Sequence, residues 1–227
     1  QLLFRKEEIN AGQGVFLKYA LMEHGTLWGH GAYLGPDYTA EYLHRTVKIG
    51  QEFLAQAHFG RAFAEIKPEE QHQVSQDLIA QLKRNQYDPA TKALSFSPVE
   101  EAAYTALLPY WQEYFTKPHT APGLPANYIK NPEELQNLTA YFAWATWATS
   151  TNRHGKDSTY TNNWPYDPEA GNLPSSYAYI WSALSLVMLL GGLGLVLFIF
   201  GRYNFLGWEQ HCPVRFLHEQ FPGFVDS

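Results

Sequence analysis

A long apolar run near the carboxyl end constrains this chain more than any other feature. No charged side chain occurs from Ala170 to Gly201, and residues 177–200 are apolar apart from two serines. A helix of about 24 residues, rising about 1.5 Å per residue, spans roughly 36 Å, enough to cross a hydrocarbon layer of about 30 Å with some tilt. The run therefore predicts a transmembrane helix at residues 174–201. A buried core helix is the alternative, but such helices seldom lack charge for so long.

Aromatic and charged residues flank the run as they do at membrane interfaces. The aromatic residues are Tyr177, Tyr179 and Trp181 at its start and Tyr203 and Trp208 at its end. Arg202 and Arg215 follow the run, whereas Asp157, Asp167 and Glu169 precede it. Because basic residues favour the cytoplasmic side, the bias places the domain of residues 1–173 on the extracytoplasmic, periplasmic side of the cell membrane.

Charge and cysteine content exclude several functions. Sixteen Lys and Arg stand against 22 Asp and Glu, giving a net charge of -6, and no dense basic patch occurs that would bind nucleic acid. Cys212 is the single cysteine of the sequence. A single cysteine excludes an internal disulfide, a cysteine-based zinc site and haem attached through C-x-x-C-H.

The first 173 residues have the pattern of a mainly α-helical domain. Capping residues and prolines predict helix starts at Asn10, Asp37, Pro68, Ser97 and Asn131. We expect the first of these helices to run to about Met22 and the third to end near Arg84. Turn chemistry at residues 87–92, followed by Leu94 and Phe96, predicts one short β-hairpin. The proline- and glycine-containing residues 152–174 are predicted to be a loop that leads into the membrane.

Residues 12–45 read GQGVFLKYALMEHGTLWGHGAYLGPDYTAEYLHR. This segment resembles the haem-binding stretch of the cytochrome c subunit of bacterial nitric oxide reductases, where a helix runs into C-x-x-C-H and then a glycine-rich G-x-G-A-Y turn. Ala20 and Glu23 stand where that family has its two cysteines, and His24 keeps the place of the histidine ligand. Because thioether links need thiols, covalent haem is excluded, and His24 is interpreted as a relic of the ligand position.

Further segments are similar to the quinol-dependent branch of the same family, in which the enzyme is a single subunit. They read GHGAYLGPDYTAEYLHR at residues 29–45, YDPAT at 87–91, TNNWPYDPEAGN at 161–172 and GRYNFLGW at 201–208. The resemblance implies a cytochrome-c-like helical domain without haem, followed by one transmembrane helix. In the family another transmembrane helix precedes this domain and the catalytic helices follow it. The tail at 202–227 diverges after Trp208, which leaves a truncated or frameshifted product and a natural tail both open.

The resemblance also implies a function for the whole enzyme. The enzyme would convert two nitric oxide molecules into nitrous oxide in denitrification, with quinol as the electron donor. This chain would have no catalytic residue and would serve as a scaffold or cap over the missing catalytic transmembrane domain. That domain would carry the b-type haems, the non-haem iron and a calcium contact. The alternative is a stand-alone membrane-tethered binding module; an independent haem or metal carrier is disfavoured by Ala20 and Glu23.

The G-A-Y turn has two interpretations, packing against the catalytic domain and a metal contact. By resemblance, the backbone carbonyls of Gly31 and Tyr33 in the G-A-Y turn would face a calcium ion shared with the catalytic domain, since Ca²⁺ prefers oxygen ligands. A turn that merely packs there is the alternative. His24 and His30 offer a second, weaker metal hypothesis. The remaining histidines that we considered, His44, His58 and His72, are interpreted as surface groups, and the aromatic residues Tyr141, Phe142, Trp144 and Trp147 as packing.

Overall fold

The computed structural model describes residues 3–4, 6–117 and 124–207. These residues form six α-helices: α1 (Lys6–Lys18), α2 (Tyr38–Phe59), α3 (Pro68–Lys83), α4 (Pro98–Thr116), α5 (Pro132–Ser150) and α6 (Ser176–Tyr203). They also form five short strands: β1 (Leu3–Phe4), β2 (Thr26–Leu27), β3 (His30–Gly31), β4 (Tyr87–Asp88) and β5 (Ala93–Ser95). The predicted mainly α-helical class is confirmed. Trp208, Cys212 and Arg215 lie outside the described residues.

Four of the five predicted helix starts are confirmed. The Asp37 carboxylate accepts hydrogen bonds from the first backbone N–H groups of α2, and the Asn131 side chain does the same for α5. Ser97 and Glu100 form a reciprocal capping box at α4. Pro68 is the first residue of α3. Caps satisfy donors that the helix itself leaves free, so a few neighbouring residues suffice to set a helix start.

The predicted first helix is wrong at both ends. Asn10 lies inside α1, which begins at Lys6 with Glu7 and Glu8 in its first turn, where the helix dipole favours negative charge. The helix ends at Lys18, four residues before Met22. Ala20 has φ 46°, and a left-handed residue cannot continue a right-handed helix. A short 3-10 helix at Leu21–Glu23 follows instead.

The predicted hairpin at residues 87–96 is confirmed and forms part of a small sheet. β4 pairs antiparallel with β5, with Tyr87 opposite Leu94. β1 adds to the other edge of β5 through Phe4, which also lies opposite Leu94. The sheet therefore has the order β1-β5-β4 and ties the start of the domain to residues about 90 positions later.

An aromatic cluster forms the centre of the domain. Tyr38 of α2 stacks on Phe142 of α5 with centroids 4.9 Å apart, and Trp111 of α4 packs edge-on against the same ring at 5.0 Å. Phe115 is also fully buried in this cluster. Large aromatic side chains bury much apolar area each, so this cluster contributes heavily to stability. A second cluster between α2 and α3 contains Leu43, Val47, Val74 and Leu78.

Residues 152–174 form a folded segment packed on the domain. Asn172 is completely buried, and its amide donates to the carbonyls of Thr149 and Pro165. The Lys83 ammonium donates to the Asn172 side-chain oxygen at 2.5 Å, and burial lowers the pKa of Lys83 to about 8. The prediction of a plain loop was incomplete, because the buried Asn172 ties this segment to α3 and α5.

The chain divides into two compact units, Gln1–Pro174 and Ser175–Ser227. In the second unit the described residues contain one helix long and apolar enough to cross a membrane, α6, with a hydropathy of 2.6 in its most apolar window. Ser175 caps it and Asn204 ends it in a left-handed conformation. None of that window is buried, whereas a core helix of a soluble protein would be mostly buried.

Candidate functional site

The glycine-rich segment between α1 and α2 folds into a small hairpin. β2 pairs antiparallel with β3, and the two residues between them, Trp28 and Gly29, have φ 53° and 77°. Positive φ at both central residues defines the tight turn that matches the natural twist of a hairpin. Gly31 has φ 138°, and a Cβ there would lie 2.4 Å from the Gly25 carbonyl oxygen. Glycine is therefore required at this position.

Asp37 fastens the hairpin to the start of α2. Its Oδ1 atom accepts the capping hydrogen bonds of Thr39 and Ala40 at 3.0 and 2.9 Å. Its Oδ2 atom accepts from the Thr26 hydroxyl at 2.5 Å and from the Gly29 backbone N–H at 2.7 Å. The sequence predicted the cap but not the second pair of contacts. One carboxylate thus orders both the helix and the turn.

Trp28 fastens the other side of the hairpin to α5. Its indole N–H donates to the Ala145 carbonyl at 3.0 Å. Its ring packs edge-on against Trp144, with centroids 5.7 Å apart. The hairpin is therefore held between α2 and α5, and the glycine-rich turn is a rigid projection rather than a free loop.

His24 is hydrogen-bonded in the position where the resemblance expects a haem ligand. Its Nε2 atom lies 3.0 Å from the Tyr128 hydroxyl oxygen, and that hydroxyl donates to the Tyr19 carbonyl at 2.8 Å. Since the phenolic proton is used by Tyr19, His24 must donate from Nε2. Its Nδ1 atom is buried with no partner among the described residues. An iron ion bound at Nε2 would have to displace Tyr128.

The remaining predicted site residues lie at the surface. Ala20, Glu23 and His30 are exposed, as are Gly31 and Tyr33, and 88% of the Tyr33 side chain is accessible. Among the described residues no group of three or more His, Cys, Asp or Glu side chains is arranged to hold a metal ion. The histidines interpreted as surface groups, His44, His58 and His72, are all exposed, and His58 pairs with Asp77 at 3.1 Å.

Comparison with known families gives one match over most of the chain. The family model for the NorB cytochrome c-like domain of nitric oxide reductase matches residues 1–166. The chain belongs to this family. No curated protein matches it. The matched region contains the whole glycine-rich hairpin and ends before α6.

In this NorB cytochrome c-like domain, the structure adds residues that the sequence did not point to. Tyr128 lies 104 positions from His24, and nothing in its local sequence marks it as a partner. The further contacts of Asp37 to the hairpin depend on the same kind of tertiary placement. Aspartate at a helix start predicts a cap, but it does not reveal which other donors the carboxylate meets.

Proposed function

We propose that this chain is the N-terminal, extracytoplasmic portion of a quinol-dependent nitric oxide reductase and acts as a scaffold or cap over a catalytic membrane domain. The complete enzyme converts two nitric oxide molecules, two electrons and two protons into nitrous oxide and water. Oxidation of one quinol to quinone supplies both electrons and both protons. This chain contributes no acid, base or redox centre to that reaction.

One observation carries this proposal. The chain belongs to the NorB cytochrome c-like family. By the resemblance described above, Ala20 and Glu23 stand where the haem-bearing members have their cysteines. A domain without covalent haem offers no route for electrons from a soluble cytochrome c. A donor dissolved in the membrane, such as quinol, then reaches the catalytic domain directly. The engagement of His24 with Tyr128 is consistent with this role.

The surface around the glycine-rich turn supports a docking role. Met22, Tyr33 and Leu34 are exposed by 41%, 88% and 49%. The Ala32 backbone N–H donates to the Met22 carbonyl at 2.7 Å, which holds the two parts of this surface together. Rigid, exposed aromatic and aliphatic side chains are typical of the centre of protein interfaces. We assign Met22, Tyr33 and Leu34 to contact with the catalytic domain.

Calcium belongs to this proposal at the same surface. The carbonyls of Gly31 and Tyr33 would supply two of the oxygen ligands that Ca²⁺ needs, because both residues are exposed on the rigid turn. Both Asp37 oxygens are already used in hydrogen bonds, so a carboxylate would come from the catalytic domain. Accordingly, we expect titration calorimetry to show weak calcium binding by this chain alone, and we expect chelation to weaken the contact between this domain and the rest of the enzyme.

The proposed localisation is the cell membrane, with α6 spanning it and residues 1–173 on the periplasmic side. The basic residue after the apolar run, Arg202, supports this orientation. Labelling of the single cysteine, Cys212, with a membrane-impermeant maleimide tests it in intact cells. Protection from the reagent agrees with a cytoplasmic tail, whereas labelling of intact cells reverses the orientation.

The test of function compares two membrane preparations. One carries the full-length gene and the other carries only this chain, and nitric oxide consumption is followed with a reduced quinol. Turnover confined to the full-length sample supports a non-catalytic scaffold. Turnover by this chain alone contradicts it, because a redox centre would then lie within these residues.

A pair of variants in the full-length enzyme tests the docking surface. We expect Tyr33→Asp to lower turnover and the stability of the complex, since it places a charge in a desolvated interface. Ala57→Asp, on the exposed side of α2, is the control and leaves both unchanged. Equal behaviour of the two variants would show that the glycine-rich turn does not dock.

A further inference from the structure

An aromatic groove lies beside the hairpin, within the first unit. It has a volume of about 770 Å³ and is walled by α1, α5, the β4–β5 hairpin and the segment after α5. Its walls include Trp28, Tyr141, Trp144, Trp147 and Tyr160. Small-molecule sites are commonly about 300–1,000 Å³ with mostly apolar walls. The groove therefore has the size and the surface of a ligand site.

The walls of the groove are held in place by contacts with each other. Trp144 stacks on Tyr141 at 5.9 Å and meets Trp28 edge-on at 5.7 Å. On the far side, Trp147 packs against Tyr160 at 5.3 Å. Because each ring is supported by a neighbour, the side chains do not collapse into the groove. A ligand finds the apolar surface already formed.

The charge at the rim has one sign. Lys6 and Lys92 line the groove, and no aspartate or glutamate does, although the chain has a net charge of -6. Neither lysine forms an ion pair with a residue that the structure describes. The acidic residue of the same hairpin, Asp88, is occupied by its own turn, accepting from the Ala90 N–H and the Thr91 hydroxyl. The groove therefore favours a ligand with an anionic group.

The wall formed by the segment after α5 lies close in sequence to the membrane helix. Tyr160 and Thr161 line the groove, and the side chain of the nearby Asn163 donates to the Leu173 carbonyl at 3.0 Å. Only Pro174 and Ser175 then precede α6. In the proposed membrane location, amphiphiles of the bilayer are available to this chain.

We propose that this groove binds a hydrocarbon chain bearing an anionic head, with the chain against the aromatic walls and the head at Lys6 and Lys92. A free fatty acid and an anionic phospholipid share this chemistry. Burial of the hydrocarbon drives binding, and the two lysines select the charge of the head. The proposal concerns the first unit alone, so its failure would leave the proposed scaffold role untouched.

The experiment uses the full chain in nanodiscs of zwitterionic phosphatidylcholine. A photoreactive palmitate and a photoreactive palmityl alcohol of the same length are added in turn, and labelled peptides are mapped by mass spectrometry. We expect the acid to label the peptide that contains Tyr141, Trp144 and Trp147, and the alcohol to label it much less. A photoreactive phosphatidylglycerol, which also carries an anionic head, is tested in parallel. The probe that labels this peptide more strongly identifies the ligand as a free acid or a phospholipid.

Two double variants test the role of the lysines. K6Q/K92Q lowers labelling of the α5 peptide by roughly twofold to thirtyfold, the range for two exposed ion pairs. K117Q/K130Q removes two exposed lysines elsewhere and leaves the labelling unchanged. Labelling confined to α6, or equal labelling by acid and alcohol that K6Q/K92Q does not alter, overturns the proposal.

Discussion

The Nε2 atom of His24 lies 3.0 Å from the hydroxyl oxygen of Tyr128, which donates its own proton to the Tyr19 carbonyl at 2.8 Å. The two rings also meet edge-on, with centroids 4.9 Å apart. This chain of hydrogen bonds links the end of α1 to the residues before α5. It gives His24 a structural role in the folded domain.

Removing the Tyr128 hydroxyl tests that role. Tyr128→Phe keeps the ring but leaves His24 Nε2 and the Tyr19 carbonyl without their partner. We expect the free energy of unfolding to fall by about 1–3 kcal/mol, as measured by denaturant titration of tryptophan fluorescence. Tyr33→Phe, at a largely exposed tyrosine, is the control and changes it little. Equal stabilities for the two variants would rule out a structural role for the hydrogen bonds.

Two glycines of α1 are expected to respond in opposite directions to alanine. A Cβ at Gly12 would lie 2.1 Å from the Asn137 carbonyl oxygen, so Gly12→Ala forces α1 away from α5 and costs about 1–3 kcal/mol. A Cβ at Gly14 meets nothing within 4 Å, and Gly14→Ala stabilises the helix by up to about 1 kcal/mol. Thermal unfolding of both variants measures the difference. Similar melting temperatures would contradict the close packing of α1 on α5.

Asp37 is expected to matter more than an ordinary helix cap. Asp37→Ala removes the cap of α2 and also the contacts to Thr26 and Gly29, and we expect a loss of about 2–4 kcal/mol. Asn131→Ala removes only a cap, through its bond to the Glu133 N–H, and costs about 1 kcal/mol. Denaturant titration compares them. If both cost the same, Asp37 does not order the hairpin.

Glu100 is expected to make stability depend on pH. Burial raises the pKa of this carboxyl from 4.5 to about 7 in the folded protein. The folded state then binds the proton of Glu100 more tightly than the unfolded state does. The stability that this proton contributes is complete below pH 4.5 and is lost as pH rises to about 7. The loss is on the order of 3 kcal/mol. We expect Glu100→Gln to remove this pH dependence and the control Glu101→Gln to retain it. Unfolding titrations from acidic to neutral pH measure the difference. An unchanged profile in Glu100→Gln would assign the pH dependence to another group.

Local patterns in the sequence set much of the secondary structure. Asp37, Ser97 and Asn131 marked helix starts because a cap involves only the next two or three residues. The apolar run marked α6 because length and hydropathy are properties of one segment. Ala20 and Glu23 led us to expect no covalent haem, because thioether links need thiols. The family resemblance drawn from these residues agrees with the match to the NorB cytochrome c-like domain.

What only the tertiary structure decided depends on residues far apart in the chain. The close packing of α1 on α5 at Gly12 has no local signature in the sequence. The partner of His24 could not be read from sequence, since Tyr128 reaches it only after the helices pack. The aromatic groove likewise joins Trp28 to Trp144 across the fold. The sequence alone determined the caps, the apolar helix and the lack of a C-x-x-C-H motif, because each is a property of neighbouring residues. Long-range packing decided which side chains meet.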